Sequence, residues 1–357
     1  MGGRVRFVLG SRGGGDQPPP WPGGVRPGVG WARARPRLTL TESWGVMGLF
    51  ASSRNFGWGR SLAFAGRSAL RSYYAGGHFA TVAAHAARWS QFASWLKGQG
   101  VRDLAQVAPA HVEAYARALV ERGVAPATAQ NAVTSVNTVM RAATAGRWVS
   151  VSPVQAVGLS RSTVRQVAPY APREAVLRAA EALRAAGHAR GAAVLELARE
   201  FGVRAREASL ADLDRWAREA AAHGRVNVLE GAKGGRTAER WVPVTDRARE
   251  ALQRALEARP AGSRNLLAPN ETWRQWRDGE LRHARNALKN EGIQRIHDLR
   301  GAWACDRYRE LTGRPAPVEA GARQAAREAD RAARQQIAQE LGHGRTDVTA
   351  AYLGSSR

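Results

Sequence analysis

Only one stretch of this chain alternates in the manner of paired β-strands. Arg225-Val226-Asn227-Val228-Leu229 and Arg240-Trp241-Val242-Pro243-Val244 are short alternating runs on either side of a glycine-rich turn, Gly231-Ala232-Lys233-Gly234-Gly235. That pattern predicts a hairpin with Lys233 at its tip. Elsewhere the ordered-looking sequence has helical period, so the expected fold is mainly α with a small β-hairpin or sheet. The 357 residues, 44% of them hydrophobic, suffice for two domains with cores of their own.

The helical period begins near His78, where Phe79, Val82, Ala86, Trp89, Phe92 and Leu96 recur at three- and four-residue steps until Gly98 and Gly100. Val112, Tyr115, Ala116 and Leu119 mark a second helix; Val133, Val136 and Met140 mark a third, entered through Pro126. Residues 76–148 thus read as an N-terminal helical domain whose outer faces carry Arg88, Lys97, Arg102, Arg117, Arg122 and Arg141. Before it, residues 1–46 are rich in Gly, Pro and Arg without apolar period. They read either as a disordered basic tail or as upstream DNA translated ahead of a start at Met47. Residues 47–75 scatter Phe50, Phe56, Trp58, Tyr73 and Tyr74 among glycines and arginines and give no clear period. A Ser- and Pro-containing run, 149–171, reads as a linker whose Arg161 and Arg165 are free to lie along a DNA backbone. The second domain, 172–357, opens with two helices bearing Val176, Leu177, Ala180 and Leu183, then Val194, Leu195, Ala198 and Phe201, and becomes helical again after the hairpin.

A net charge of +24, from 54 basic and 30 acidic residues, favours a polyanionic partner. Only Lys97, Lys233 and Lys289 are lysines. A GC-rich genome accounts for much of that arginine preference, though not for the size of the net charge. The single cysteine, Cys305, excludes an intramolecular disulfide and a thiolate zinc cluster. No run approaches the ~20 apolar residues of a membrane span, and Phe7-Val8-Leu9 is too short for a signal-peptide core. A cytoplasmic, nucleoid-associated protein fits these features.

Near the C-terminus, Leu341-Gly342-His343 precedes Tyr352. Upstream, His297-Asp298-Leu299-Arg300 puts a histidine and an arginine on one helical turn, and Gly202-Val203-Arg204-Ala205-Arg206-Glu207 puts a carboxylate three residues after an arginine. Each piece alone is common. Together, in the order Arg, Lys, His-x-x-Arg, Leu-Gly-His and Tyr, they resemble the signature of the tyrosine recombinases of the phage-integrase type. The resemblance covers about residues 78–357. It implies a helical core-binding, SAM-like domain followed by a mixed α/β tyrosine-recombinase catalytic domain, the two closing as a clamp on duplex DNA.

The chemistry suits those residue types. A tyrosine phenolate can conserve the energy of a broken phosphodiester in a covalent phosphotyrosine, and Tyr352 alone among the six tyrosines follows a Leu-Gly-His at this spacing. Arg204 and Arg300 would stabilise charge on the non-bridging phosphate oxygens; pairing with Asp212 or Glu207 is the competing structural role. By the resemblance, His297 helps deprotonate Tyr352, Lys233 protonates the departing 5′ oxygen, His343 bonds the scissile phosphate and Glu207 orient its neighbours. A lysine at the hairpin tip of an arginine-rich chain matters because an amine can serve as an acid where a guanidinium cannot. Neither cofactor nor metal is called for. The remaining histidines, 78, 85, 111, 188, 223 and 283, read as surface or cap residues.

The resemblance further implies double-stranded DNA with specific recombination sites as partner, a homotetramer on that DNA, accessory bending or directionality proteins, and a role in moving a mobile element. Three departures stand out. The segment between Arg300 and Leu341 is longer than in compact members, with an Ala/Arg/Glu-rich middle that reads as an extra or extended helix making a partner contact or a solvated face. Gly301 stands where many relatives have histidine, and only Leu353–Arg357 follow the tyrosine, too few for an exchanged C-terminal helix. Two rivals remain at this level: a catalytically silent DNA-binding accessory paralogue, and DNA relaxation of the type IB topoisomerase kind.

Overall fold

The computed structural model describes residues 53–232 and 239–356. The tail 1–46 and Lys233 lie outside the described residues. The chain divides into two compact units between Ser160 and Arg161.

The first unit is helical: α1 (Leu62–Tyr73), α2 (Phe79–Gly98), α3 (Pro109–Glu121), α4 (Pro126–Ala143) and the short α5 (Pro153–Val157). Prolines at the first positions of α3, α4 and α5 cost no helical hydrogen bond there. Trp89, Phe92, Leu96, Tyr115, Val133, Val136 and Met140 fill the core, as the periodicity predicts. Of the stretch 47–75, the described residues 53–75 contribute more than their sequence suggests. Helix α1 buries Leu62, Ala65, Gly66, Ala69 and Leu70 against α2 and α4, while Tyr73 and Phe64 stay exposed. Its buried positions, 62, 65, 66, 69 and 70, keep helical three- and four-residue steps, with the exposed aromatic Phe64 lying between them. Trp89 Nε1 donates to the Leu62 carbonyl at 2.7 Å, crossing directly over Gly66.

The first half of the expected linker also belongs to this unit. Val151 and Val157 are buried in its core. Two amides of α4 hold the segment: Asn137 donates to the Val151 carbonyl at 2.7 Å and accepts from Trp148 and from the Val151 N–H, and Gln130 donates to the Leu159 carbonyl at 2.7 Å. Lys97, Arg102, Arg117, Arg122 and Arg141 are exposed; Arg88 is half-buried with its guanidinium on the Ser135 hydroxyl.

The second unit comprises α6 (Arg173–Ala185), α7 (Ala189–Phe201), α8 (Ala205–Leu210), α9 (Leu213–His223), the strands β1 (Arg225–Asn227) and β2 (Trp241–Pro243), then α10 (Asp246–Ala258), α11 (Trp273–Asp278), α12 (Glu280–Asn290), α13 (Ile296–Thr312), α14 (Pro317–Ala320), α15 (Arg327–Glu340) and α16 (Ala350–Leu353). Helix α7 is buried along nearly its whole length and packs against α6, α10 and α13. The strands pair antiparallel with Val226 opposite Val242, and the Val228 N–H extends the ladder to the Arg240 carbonyl at 2.9 Å. They are shorter than the alternating runs because Asn227 turns its side chain to the Arg240 N–H.

The Ala/Arg/Glu-rich segment is helix α15, and it packs on α13. Its inward face carries an ion pair: the Arg334 guanidinium spans both Asp330 oxygens at 3.0 Å, and the Tyr308 hydroxyl donates to Asp330 at 2.8 Å. No helix among the described residues is long and apolar enough to cross a membrane.

Replacing a mid-helix glycine by alanine ordinarily stabilises a helix by about 0.5–1 kcal/mol. At Gly66 the new methyl would lie 2.1 Å from Trp89 Nε1, and overpacking of this kind costs ~1–3 kcal/mol. Gly66→Ala is therefore expected to lower the melting temperature; a rise would show that Trp89 can move aside.

Candidate active site

Four separate segments of the second unit converge on Tyr352. The first follows α7, where Gly202 takes a left-handed φ of +61° with the Trp303 ring packed against its Cα, 2.4 Å from where a Cβ would stand. The chain then extends through Arg204 and starts α8. Both the Arg204 N–H (2.7 Å) and its guanidinium (2.5 Å) bond Glu207. The second segment is the first turn and a half of α13, where the three-residue spacing puts His297 and Arg300 on one face.

The third segment ends α15. Gly342, with φ +67°, reverses the chain so that the His343 N–H returns to the Ala338 carbonyl at 2.8 Å and the imidazole joins the site. A Cβ at Gly342 would meet Arg240 Cδ at 2.9 Å, so glycine serves twice here. The fourth is α16, four residues carrying Tyr352 after a 3-10 turn at Thr346–Thr349.

Arg300 joins all four. It is fully buried. Its Nη1 donates to the Gly202 carbonyl, Nη2 to the Leu341 carbonyl and, at 3.4 Å, toward His343 Nε2, while Nε lies 3.3 Å from the Tyr352 hydroxyl. Carbonyls at the C-terminal ends of two helices are good partners for a cation. Burial, with Arg240 nearby, brings the Arg300 guanidinium down to about 10, so it remains charged at neutral pH. The Tyr352 side chain, 4% exposed, shares a 3.2 Å hydrogen bond with His343 Nε2, and its ring lies 5.6 Å from that of His297.

Glu207 is wholly buried beneath the cations. The Arg204 guanidinium holds Oε1, while Oε2 accepts the Arg204 N–H and meets Arg240 Nη1 at 2.9 Å, with Arg300 Nη1 at 3.8 Å. Burial pushes its carboxyl up, but Arg240, Arg204 and Arg300 together outweigh that and hold it below the usual carboxylate range. Burial, Arg300 and Arg204 lower the His297 pKa. Asp212 takes no part: it caps α9 through the Arg215 N–H.

Three residues fix α16 from behind. Arg334, besides Asp330, donates to Thr349 Oγ1 and to the Gly354 and Ser355 carbonyls. Cys305 Sγ lies 3.8 Å from the Tyr352 carbonyl, with its thiol pushed by burial up to about 12 and therefore not a thiolate. Arg165 is not free for a DNA backbone: its N–H donates to the Ala350 carbonyl at 2.9 Å and its guanidinium pairs with Asp298 at 2.8 Å. The space beside Gly301 is taken by Pro169 and Arg165, 3.1 and 3.3 Å from a Cβ placed there, which gives a local reason for glycine at that position.

Of the residues expected from the sequence, Arg204, Glu207, His297, Arg300, His343 and Tyr352 come together; Lys233 lies outside the described residues. Arg240 was not foreseen, although period-two alternation puts it on the same strand face as the buried Val242, where a charge must find a partner. The other histidines have local roles: His111 Nδ1 accepts the Ala108 N–H, His85 bonds Ser135, and His188 stacks on His283. Among the described residues, no group of three or more His, Cys, Asp or Glu is placed to hold a metal ion.

Comparison with known proteins addresses the family of the chain. Residues 57–149 match the family model described as phage integrase, N-terminal, and residues 158–306 match the model described as integrase. The chain belongs to the tyrosine recombinases of the phage-integrase type. The integrase match contains Arg204, Glu207, Lys233, His297 and Arg300 and ends before His343 and Tyr352. Among solved structures, the chain is similar to a lambda integrase dimer bound to a COC′ core site (17% identity, 81% of this chain and 77% of that one, TM-score 0.49). It is also similar to XerA recombinase (19%, 81% and 93%, TM-score 0.34) and to the Tn1549 transposon integrase in complex with circular intermediate DNA (13%, 81% and 95%, TM-score 0.47). No curated protein matches the sequence.

Removing one partner of a buried ion pair costs about 3–5 kcal/mol, because the other charge is left without a counter-ion. Arg334→Met is expected to destabilise the protein by that order and to speed backbone amide exchange across residues 350–353. Unchanged exchange there would contradict the anchoring role of Arg334.

Proposed function

We propose that the protein is a site-specific DNA recombinase that cuts and rejoins strands through a 3′-phosphotyrosine at Tyr352. The observation that carries this reading is the convergence of Arg300 and His343 on the Tyr352 hydroxyl, with the His297 ring beside the tyrosine ring, from segments far apart in sequence. A buried tyrosine held only for packing has no need of a fully buried guanidinium and two imidazoles around it.

In this scheme the phenol oxygen attacks the scissile phosphorus as its proton passes to a histidine. His297, whose pKa is lowered by burial and the neighbouring arginines, is neutral near pH 7 and able to accept it; His343, already hydrogen-bonded to the hydroxyl, bonds the phosphate. Arg204 and Arg300 stabilise the charge that builds on the non-bridging oxygens. The 5′ oxygen departs with a proton from Lys233, and the strand remains esterified to Tyr352. Attack by the 5′ hydroxyl of another strand reverses the steps and completes the exchange. Glu207 holds Arg204 in place.

The partner is double-stranded DNA bearing specific sites, engaged by a homotetramer, and the biological role is integration or excision of a mobile element, with accessory proteins setting direction. The exposed Lys97, Arg102, Arg117, Arg122 and Arg141 of the first unit suit phosphate contacts. Binding is accordingly expected to weaken steeply with salt, since each neutralised phosphate releases counter-ions; a flat response would contradict a phosphate-tracking surface.

The reading is tested with a nicked suicide duplex carrying the end of the encoding element, resolved on a denaturing gel. Wild type is expected to leave a covalent protein–DNA band and Tyr352→Phe none. Binding without a band in either lane would favour the accessory role, and relaxation of any plasmid irrespective of sequence would favour the topoisomerase. The cleavage rate should fall along an acid limb only below the ordinary histidine value of about 6.5, because His297 protonates only at lower pH. In His297→Gln that limb should vanish; a wild-type limb at or above the ordinary value would contradict His297 as the base.

A further inference from the structure

We propose that Arg240 is a positioning residue of the site: it engages Glu207 so that this carboxylate does not close on Arg300, and it ties the Leu341-Gly342-His343 turn to the same carboxylate. The inference rests on the recombinase reading above.

The geometry is that of a three-way tie. Arg240 sits at the start of β2, its N–H on Asn227 Oδ1 and its carbonyl on the Val228 N–H. Its side chain is 5% exposed. Nε donates to the Glu340 carbonyl at 2.8 Å, Nη1 lies 2.9 Å from Glu207 Oε2, and Cδ passes over Gly342 where a side chain would collide. One guanidinium therefore touches the residue that orients Arg204 and the last residue of the helix leading to His343.

Its charge matters as much as its reach. The carboxylate of Glu207 is shared among Arg204, Arg240 and Arg300, and Arg300 is the most distant of them at 3.8 Å. With Arg240 absent, Oε2 would keep the Arg204 N–H, and Arg300, 3.8 Å away, would be the only other cation within reach among the described residues. A closed Arg300–Glu207 pair would neutralise the guanidinium meant for the phosphate. The Nη2 of Arg240 is buried without a hydrogen-bond partner among the described residues. Arg240 is also first among the charges that hold Glu207 ionised.

This arrangement makes a prediction that a packing role does not. Wild type carries two net positive charges among Glu207 and its arginines, Arg240→Met carries one, and Arg240→Met with Glu207→Gln carries two again. With full-length protein at saturating concentration on the nicked suicide duplex, R240M is expected to form the covalent adduct about 10²-fold more slowly, the usual loss for a transition-state donor. DNA affinity in a shift assay should change little. The double variant R240M/E207Q is expected to cleave roughly tenfold faster than R240M, a coupling typical of residues in contact. If R240M does not fold, the comparison moves to Arg240→Lys. Its ammonium is a point charge without the planar fork that serves Glu207 and the Glu340 carbonyl from two separate nitrogens, so R240K should cleave more slowly than wild type and R240K/E207Q faster than R240K. Cleavage by the folded single variant at the wild-type rate, or a double variant no faster than the single, would overturn the role of Arg240. Failure of wild type itself to form an adduct would instead remove the recombinase reading.

Discussion

The second unit is arranged around one buried cation. Arg300 has no solvent contact, and its guanidinium is bonded to the carbonyls of Gly202 and Leu341 and to the Tyr352 hydroxyl. An unpartnered charge in such a place would cost several kcal/mol of desolvation. Each acceptor that offsets this cost comes from a different segment: the end of α7, the end of α15 and the tyrosine helix. The interaction that makes the cation tolerable is thus the same one that assembles the site. Gly202 and Gly342 complete the logic, since only left-handed turns at these two positions let the helices end with their last carbonyls and His343 facing inward.

The tyrosine itself stands on weak local structure. A four-residue helix has no stability of its own in water, and α16 is held by contacts from three directions: Arg334 to its C-terminal carbonyls, Cys305 beneath Tyr352, and Arg165 at Ala350. Arg165 also pairs with Asp298, next to His297. The segment joining the two units is therefore part of the support for the reacting groups, and not the free basic strand its composition suggests.

Much of this was legible from the residues. The helices with large apolar residues, the single hairpin and the ordered set of Arg, His-x-x-Arg, Leu-Gly-His and Tyr were readable because each has a period or a spacing. What escaped is marked less plainly. Helix α1 buries Leu62, Ala65, Gly66, Ala69 and Leu70 while its aromatics Phe64 and Tyr73 stay exposed, so the large residues do not mark the buried face. The pinning of residues 149–159 depends on Asn137 and Gln130, polar residues whose partners are backbone carbonyls distant in sequence. Arg240, Arg165 and Arg334 looked like others of the many arginines in a chain of net charge +24, and nothing local shows that Arg165 pairs with Asp298, that Arg240 reaches Glu207, or that Arg334 bonds carbonyls beyond Tyr352 as well as Asp330 one turn away. For Arg240 a clue existed in its sharing a strand face with Val242.

The central claim is that Tyr352 becomes the covalently linked residue, and it can be measured on the protein directly. The trapped adduct would be digested with nuclease and trypsin and its peptides weighed. Cleavage after Arg345 releases Thr346–Arg357, which holds Tyr352 as its only tyrosine. The account predicts a 3′-phosphonucleotide on that peptide, localised by fragmentation to Tyr352. The same mass shift on a peptide bearing Tyr73, Tyr74, Tyr115, Tyr170 or Tyr308, or on a serine, would contradict it.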